Sequence, residues 1–309
     1  MQKFIMLLAT TLVPVLFSGP HSAHNAFDPA NSAANGDREL KSPLLEIGGV
    51  PPGPRSTVTY PKIKVVSFNI RWRSGDDLKK LAHFLKYRED AEIGGATVLG
   101  LQEVDRNKKR SGNKNSAQIL ATELGMYYAW AAPPAVSNVH EEETGVAIFS
   151  IYPLADVHRL VLPHKGPGGR RRVALGATIK LGQTEVRVYS VHGETRIPID
   201  CKLGQLKAVM NDLSCYSKTM PAVILGDFNT WEPLAVSETF KLFASAQFHT
   251  PFDEQPTFSR RVLFVPIELK LDWIWLRNLE ATGHGIDQTI TLSDHWPLWV
   301  DLMLGQRPA

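Results

Sequence analysis

Val223-Ile224-Leu225-Gly226-Asp227-Phe228-Asn229 carries an apolar run straight into an acid and an amide two positions apart. A short run of this kind reads as a buried strand, and alternate side chains of a strand share a face, so Asp227 and Asn229 are expected to point into one space. A carboxylate beside a carboxamide can polarise a water and hold an oxyanion, which hydrolysis at phosphorus or at a carbonyl requires. The competing reading is an Asx turn closing the strand, in which both side chains bond their own backbone.

Four further runs end in similar groups. Lys64-Val65-Val66-Ser67-Phe68-Asn69 ends in an amide, Thr97-Val98-Leu99-Gly100-Leu101-Gln102-Glu103 in a carboxylate, and Val186-Arg187-Val188-Tyr189-Ser190-Val191-His192 in an imidazole. Leu271-Asp272-Trp273-Ile274-Trp275 is followed by Ser293-Asp294-His295-Trp296-Pro297. In layered α/β proteins functional groups collect where strands end and loops begin, so these endings predict one convergent site.

Strand-like runs recur at 62–70, 97–103, 127–132, 145–151, 172–181, 184–192, 222–228, 271–277 and 296–304. Helical spacing lies between them, at Leu78, Leu81, Ala82 and Leu85, at Ile119, Leu120 and Leu124, at Leu203 to Leu213, and at Leu234 to Phe243. Hairpin connections such as Lys180-Leu181-Gly182-Gln183-Thr184 argue for mixed sheets, and two packed sheets with outer helices satisfy the pattern. The absence of a fixed period of self-similarity argues against a propeller or solenoid.

Asn69, Gln102-Glu103, His192, Gly226-Asp227-Phe228-Asn229, Asp272 and Ser293-Asp294-His295 occur in the order found in the endonuclease/exonuclease/phosphatase family, the relatives of pancreatic deoxyribonuclease, and the chain resembles that family over roughly residues 60 to 304. Gly145-Val146-Ala147-Ile148-Phe149-Ser150 looks like another of its strands. The resemblance implies an α/β fold, a four-layer αββα sandwich with two packed mixed β-sheets, in a catalytic domain spanning 61–305. It also implies hydrolysis of a phosphoester. Glu103 is the first candidate for a Mg²⁺ or Mn²⁺ ligand, because hard divalent ions take carboxylate oxygens, with Asn69 adding or orienting an oxygen. His295 suits the base, since imidazole accepts protons near neutral pH, and the family supplies the carboxylate behind it from Asp272. Asp294 then falls to the metal or substrate side. By the same resemblance His192 is a second imidazole at the leaving or phosphate oxygen, Asp227 orients the attacking water, Asn229 contacts developing charge, and Arg172 faces the phosphate.

Some residues depart from the family pattern. Ser190-Val191 precedes His192 and Gly193 follows it, unlike many members; Arg71, where abasic-site nucleases typically place an acid, together with an imidazole at 192 instead of their amide, argues against that repair branch. Deoxyribonuclease, sphingomyelinase and phosphatase branches stay open. A non-catalytic binding module on the same fold is disfavoured, because no water-activating or metal-holding group is missing.

The chain has 309 residues, 43% hydrophobic, and a formal net charge of only +3. That balance does not favour nucleic acid as the partner, although Arg106-Asn107-Lys108-Lys109-Arg110 and Arg170-Arg171-Arg172 are basic clusters; the first is expected to be solvated loop charge. A lipid partner draws on Val262-Leu263-Phe264-Val265-Pro266-Ile267, whose plainer reading is core. No obligate protein partner is evident. Lys3 followed by the apolar stretch Phe4 to Phe17 reads as an export signal over 1–23, placing the protein in the periplasm or outside the cell. Residues 24–60, rich in Asn, Ser, Ala, Gly and Pro, read as a linker or extended lead-in. Cys201 and Cys215 bracket a helical segment, too far apart along a helix axis for a disulfide, so two free thiols are expected.

Overall fold

The inward and outward faces of single strands show how the layers assemble. In β2 (Lys62–Asn69) Ile63 and Val65 face one way and Val66 and Phe68 the other, and all are buried. A strand with both faces covered needs a layer on each side. The structure, a computed structural model, describes residues 44–49, 62–135, 143–182 and 184–303. These residues lie within one compact unit that begins at Lys41. The expected signal segment and residues 24–43 and 50–60 of the expected lead-in lie outside the described residues.

Two mixed sheets form the centre. The first takes β1 (Leu45–Gly48), β4 (Tyr127–Ala131), β5 (Glu143–Ser150), β3 (Val98–Arg106), β2, β14 (Leu298–Met303) and β13 (Glu280–Ile286) in that order. The second runs β12 (Asp272–Arg277), β9 (Ala222–Asp227), β8 (Thr184–His192), β7 (Val173–Leu181), β6 (Leu154–Val161). Within each sheet one parallel pair, β2 with β3 and β8 with β9, sits among antiparallel neighbours. The core between the sheets interleaves Val65, Val98 and Ile148 with Leu175, Val188, Leu225 and Ile274. At Gly100 the sheets approach closely, since a Cβ there would meet a Leu225 methyl at 2.0 Å. Helices α1 (Asp76–Lys86) and α2 (Ser116–Leu124) cover the outer face of the first sheet through Leu78, Leu81, Leu85 and Leu120. α3 (Ile199–Leu213) and α4 (Pro233–Ser245) cover the second through Leu206, Val209 and Phe243. This is the expected four-layer αββα sandwich.

Several elements differ from the sequence expectation. Residues 45–48, read as part of a linker, form the edge strand β1 against β4, and Glu46 accepts from the Tyr128 hydroxyl, Arg106 and Asn115. Arg106 is not a solvated loop charge: it ends β3, buried over the Trp130 ring at 4.1 Å and paired with Glu46 and Glu143. β6 and β13 depart from the expected strands: β6 is a bulged, partly exposed edge strand whose alternation His158 and Arg159 interrupt, and β13 is glycine-interrupted at a sheet edge. Residues 263–267 are not core. Their tip closes the hairpin of β10 (Phe258–Val262) and β11 (Val265–Leu269), with Leu263 77% and Phe264 97% exposed. Both cysteines are free, as expected.

Candidate active site

Register places the site. β8 and β9 run parallel with His192 opposite Asp227, and β12 runs antiparallel with Asp272 opposite Asp227, so Asp272, Asp227 and His192 form one row across three strands. In the facing sheet Asn69 lies opposite Gln102. The first row lies at strand ends, Asn69 ends β2, and Asn69 Nδ2 spans the gap between the sheets to Asp227 Oδ2 at 3.0 Å.

Local backbone devices then aim the side chains. The β3–β5 register shifts at Glu103, which adopts a left-handed φ of 56°. A bulge re-aims a side chain, and here it sends the carboxylate to Asn69 Nδ2 at 3.4 Å instead of along the pleat. Gly226, at φ 135°, permits a backbone path on which a Cβ would lie 2.0 Å from the Val191 carbonyl oxygen. The expectation that strand alternation joins Asp227 and Asn229 is corrected: β9 ends at Asp227, and Asn229 reaches it through a left-handed turn with φ 55°. Asp227 does two things at once. Its Oδ1 accepts the Asn229 N–H at 3.1 Å, the Asx-turn bond, while Oδ2 faces the site. Asn229 Nδ2 donates to the Gly193 carbonyl at 3.1 Å, which fixes the amide.

Around Asp227 Oδ2 stand Asn69 Nδ2 at 3.0 Å, His192 Nε2 at 3.7 Å and His295 Nε2 at 3.9 Å; His192 Nε2 is also 4.0 Å from Glu103 Oε1. Behind His295, Nδ1 meets Asp272 Oδ2 at 2.8 Å, and the same oxygen accepts the Thr257 hydroxyl at 2.8 Å. Burial opposes charge on His295, but Asp272, followed by Asp227 and Asp294, raises its pKa to about 9. Burial raises the Asp227 carboxyl pKa, against the pull of His295 and the Asn69 donor. Burial, followed by the Arg172 charge, pushes the His192 imidazole well below its usual value. Arg172 Nη1 lies 3.4 Å from His192 Nδ1, and a guanidinium only donates, so Nδ1 accepts and the imidazole proton sits on Nε2, toward Asp227.

Every expected site residue except Asp294 touches this network directly. Asp294 Oδ2 pairs with Arg71 Nη1 at 3.0 Å, and its loop is tied to the site by Ser293 Oγ donating to the Asn69 carbonyl at 2.8 Å. Sequence reading noted Arg71 only as a departure from a family pattern, and it missed Thr257 and Glu194, whose carboxylate holds Arg172 at 3.1 Å. Glu194 lies two positions after His192, the one signal that marked it.

The donors suit a hard divalent ion. Among the described residues Asp227, Asp272 and His295 offer ligand atoms within 4.8 Å of one another. Asp272 Oδ2 and His295 Nδ1 are committed to each other, however, so the oxygens of Glu103 and Asp227 are the better first ligands. The Asn69 oxygen accepts the Arg71 N–H at 3.1 Å and its amide nitrogen points at both carboxylates, which fits orienting them.

Comparison with known proteins agrees with this fold. The family description "Endonuclease/Exonuclease/phosphatase family" matches residues 66–295. A comparison with curated proteins finds no match. Among solved structures, an endonuclease/exonuclease/phosphatase family protein from Leptotrichia buccalis C-1013-b is similar at 16% identity and TM-score 0.61, covering 78% of this chain and 99% of its own. The human Nocturnin catalytic domain with bound sulfate is similar at 18% identity and TM-score 0.57, covering 84% and 97%. Zebrafish (D. rerio) TDP2 complexed with a single-strand DNA product is similar at 14% and 0.58, covering 78% and 98%. With a match over residues 66–295 and a site to go with it, the chain belongs to the endonuclease/exonuclease/phosphatase family of phosphoester hydrolases, enzymes that typically depend on a divalent metal.

Proposed function

We propose that this is an exported, Mg²⁺-dependent phosphodiesterase, with Mn²⁺ as an alternative ion, that attacks phosphorus with a water deprotonated by the His295–Asp272 pair. The observation that carries this reading is the convergence of Asn69, His192 and His295 on Asp227 Oδ2, with Asp272 behind His295. A bound divalent ion, held by Glu103 and Asp227 with Asn69 and Asp294 beside them, would neutralise phosphate charge and favour ionised water. Asp227 positions the nucleophilic water, and His295 takes its proton while Asp272 stabilises the resulting imidazolium. His192 donates from Nε2 to a phosphoryl oxygen, where negative charge grows. Arg172 supplies a fixed cation on the same side. Export rests on the N-terminal apolar stretch.

The test is turnover of bis-p-nitrophenyl phosphate by the mature chain with Mg²⁺. Asp227→Ala and His295→Ala should each lose roughly 10³-fold or more while keeping the wild-type circular dichroism spectrum. Full activity in either variant, or after exhaustive EDTA treatment, would refute the reading.

A second reading, a lipid phosphodiester as substrate, is favoured by the exposed Leu263 and Phe264 tip, whose stem is bound to the catalytic loop by Ser259 N–H to the Asp294 carbonyl at 2.8 Å. Liposome flotation of wild type against a Leu263→Asp, Phe264→Asp variant separates it from soluble substrates. Equal flotation removes it.

A further inference from the structure

Two arginines converge on one sunken carboxylate beside His192. Glu194 is 0% exposed and accepts from Arg170 Nε and Nη2 at 3.0 and 2.7 Å, from Arg172 Nε at 3.1 Å, and from the Arg196 N–H at 3.3 Å. Its own N–H donates to Gln205 Oε1 at 2.9 Å. Gly166 packs against it so closely that a Cβ there would lie 2.6 Å from the Glu194 carboxyl carbon. The carboxylate has nowhere else to go.

This grip decides what the guanidinium groups can still do. Glu194 takes the Nε of Arg172, Nη1 lies toward His192, and Nη2 has no partner among the described residues; nor has Nη1 of Arg170. The contact of Nη1 with His192 Nδ1, whose Nε2 faces Asp227 and Glu103, places the Arg172 charge on the catalytic side. An arginine alone at a strand end samples many rotamers, whereas one locked by a carboxylate loses little entropy when it meets an oxyanion.

We infer that Glu194 is a positioning residue: it presents Arg172, with Arg170 as the outer arm, as a preset clamp for the non-bridging oxygens of a bound phosphoryl group, and through Arg172 it orients His192. The inference rests on the phosphoester reading for the identity of the ligand.

The experiment measures inorganic phosphate binding by calorimetry in the presence of Mg²⁺, together with kcat and KM for bis-p-nitrophenyl phosphate and thermal melting. The variants are Glu194→Gln, Arg172→Lys, their double mutant, and Arg170→Gln. Glu194→Gln should weaken phosphate about tenfold and raise KM more than it lowers kcat. Arg172→Lys, which keeps the charge and loses the fork, should match it, and the double mutant should be no weaker than Arg172→Lys alone. Arg170→Gln should lose about two- to threefold. A purely structural Glu194 would lower the melting temperature without moving KM. Losses that add in the double mutant, an Arg172→Lys that binds phosphate like wild type, or a wild type that binds no phosphate would each overturn the inference. Should Glu194→Gln fail to fold, Arg172→Lys and Arg170→Gln decide it. A wild type that binds phosphate in this pattern yet turns over no phosphoester would sink the proposed function and leave the clamp standing. Turnover with phosphate binding indifferent to all four variants would do the reverse.

Discussion

His295 and His192 flank the same carboxylate oxygen at 3.9 and 3.7 Å, yet their surroundings prepare them for opposite tasks. An acid stands behind His295, and the ring favours its cation; an arginine stands behind His192, and the ring stays neutral with its proton fixed on Nε2. Burial penalises both charges alike. The partner on the far nitrogen therefore sets the protonation preference, and an identical residue type favours its cation on one wall and stays neutral with an Nε2–H on the other.

The sharpest way to break this contrast is to remove the acid. Asp272→Asn should cost about 10³-fold in kcat with little change in KM, because the wrong tautomer then faces the water; an effect under tenfold would show that His295 does not need it. His192→Ala should cost less, about 10²-fold, the usual loss for one oxyanion donor. The two losses should differ in pH response as well as size.

Proton bookkeeping sharpens the contrast further. Without metal, His295 holds a proton up to about pH 9, which serves a base poorly at neutrality. A divalent ion near Glu103, Asp227 and Asp294 offsets the negative charge that raises this pKa. Mg²⁺ binding at pH 8 should therefore release a proton, measured by calorimetry in buffers of different ionisation enthalpy, and His295→Gln should abolish the release. In the metal-free protein the signs for stability are opposite. The raised pKa of His295 stabilises the fold below the unfolded value near 6.5, and that contribution is lost as pH rises through about 9. The lowered pKa of His192 favours the fold above pH 6.5 and weakens it as pH falls.

The smallest expected effect concerns Lys270, buried on the Trp273 ring at 4.5 Å, with no hydrogen-bond partner for Nζ among the described residues. Burial lowers its pKa to about 8, with Asp272 opposing, so the charged form burdens the fold at neutral pH and the burden eases as pH rises from 8 toward 10.5. Lys270→Met should raise the melting temperature by about 2 to 4 °C at pH 7, and by less at pH 10. An unchanged or lowered value would mean the ammonium is needed beside Asp272.

Much of this site could be read from strand endings alone. His192, Asp227 and Asp272 lie where β8, β9 and β12 meet in register, and the apolar runs that end at His192 and Asp227 and begin after Asp272 already mark those strands. For other residues the sequence marked the side chain but not its aim. Glu103 is directed to Asn69 by a bulge, and Asn229 is brought back to Asp227 by a left-handed turn instead of by strand alternation. The apolar 262–267 run reads as core because sequence records hydrophobicity but not which surface covers it; here the tip residues Leu263 and Phe264 are left exposed.

By itself the sequence determined most of the strands, the helices between them and the chemical inventory, because periodicity and strand-end residues are local properties that survive without knowledge of neighbours, while the four-layer order followed from the family resemblance. Only the tertiary structure decided which groups back which. Asp272 behind His295, Arg172 behind His192 and Glu194 beneath Arg172 are contacts between separate segments. A protonation state depends on that short-range electrostatic company, which no stretch of chain specifies alone.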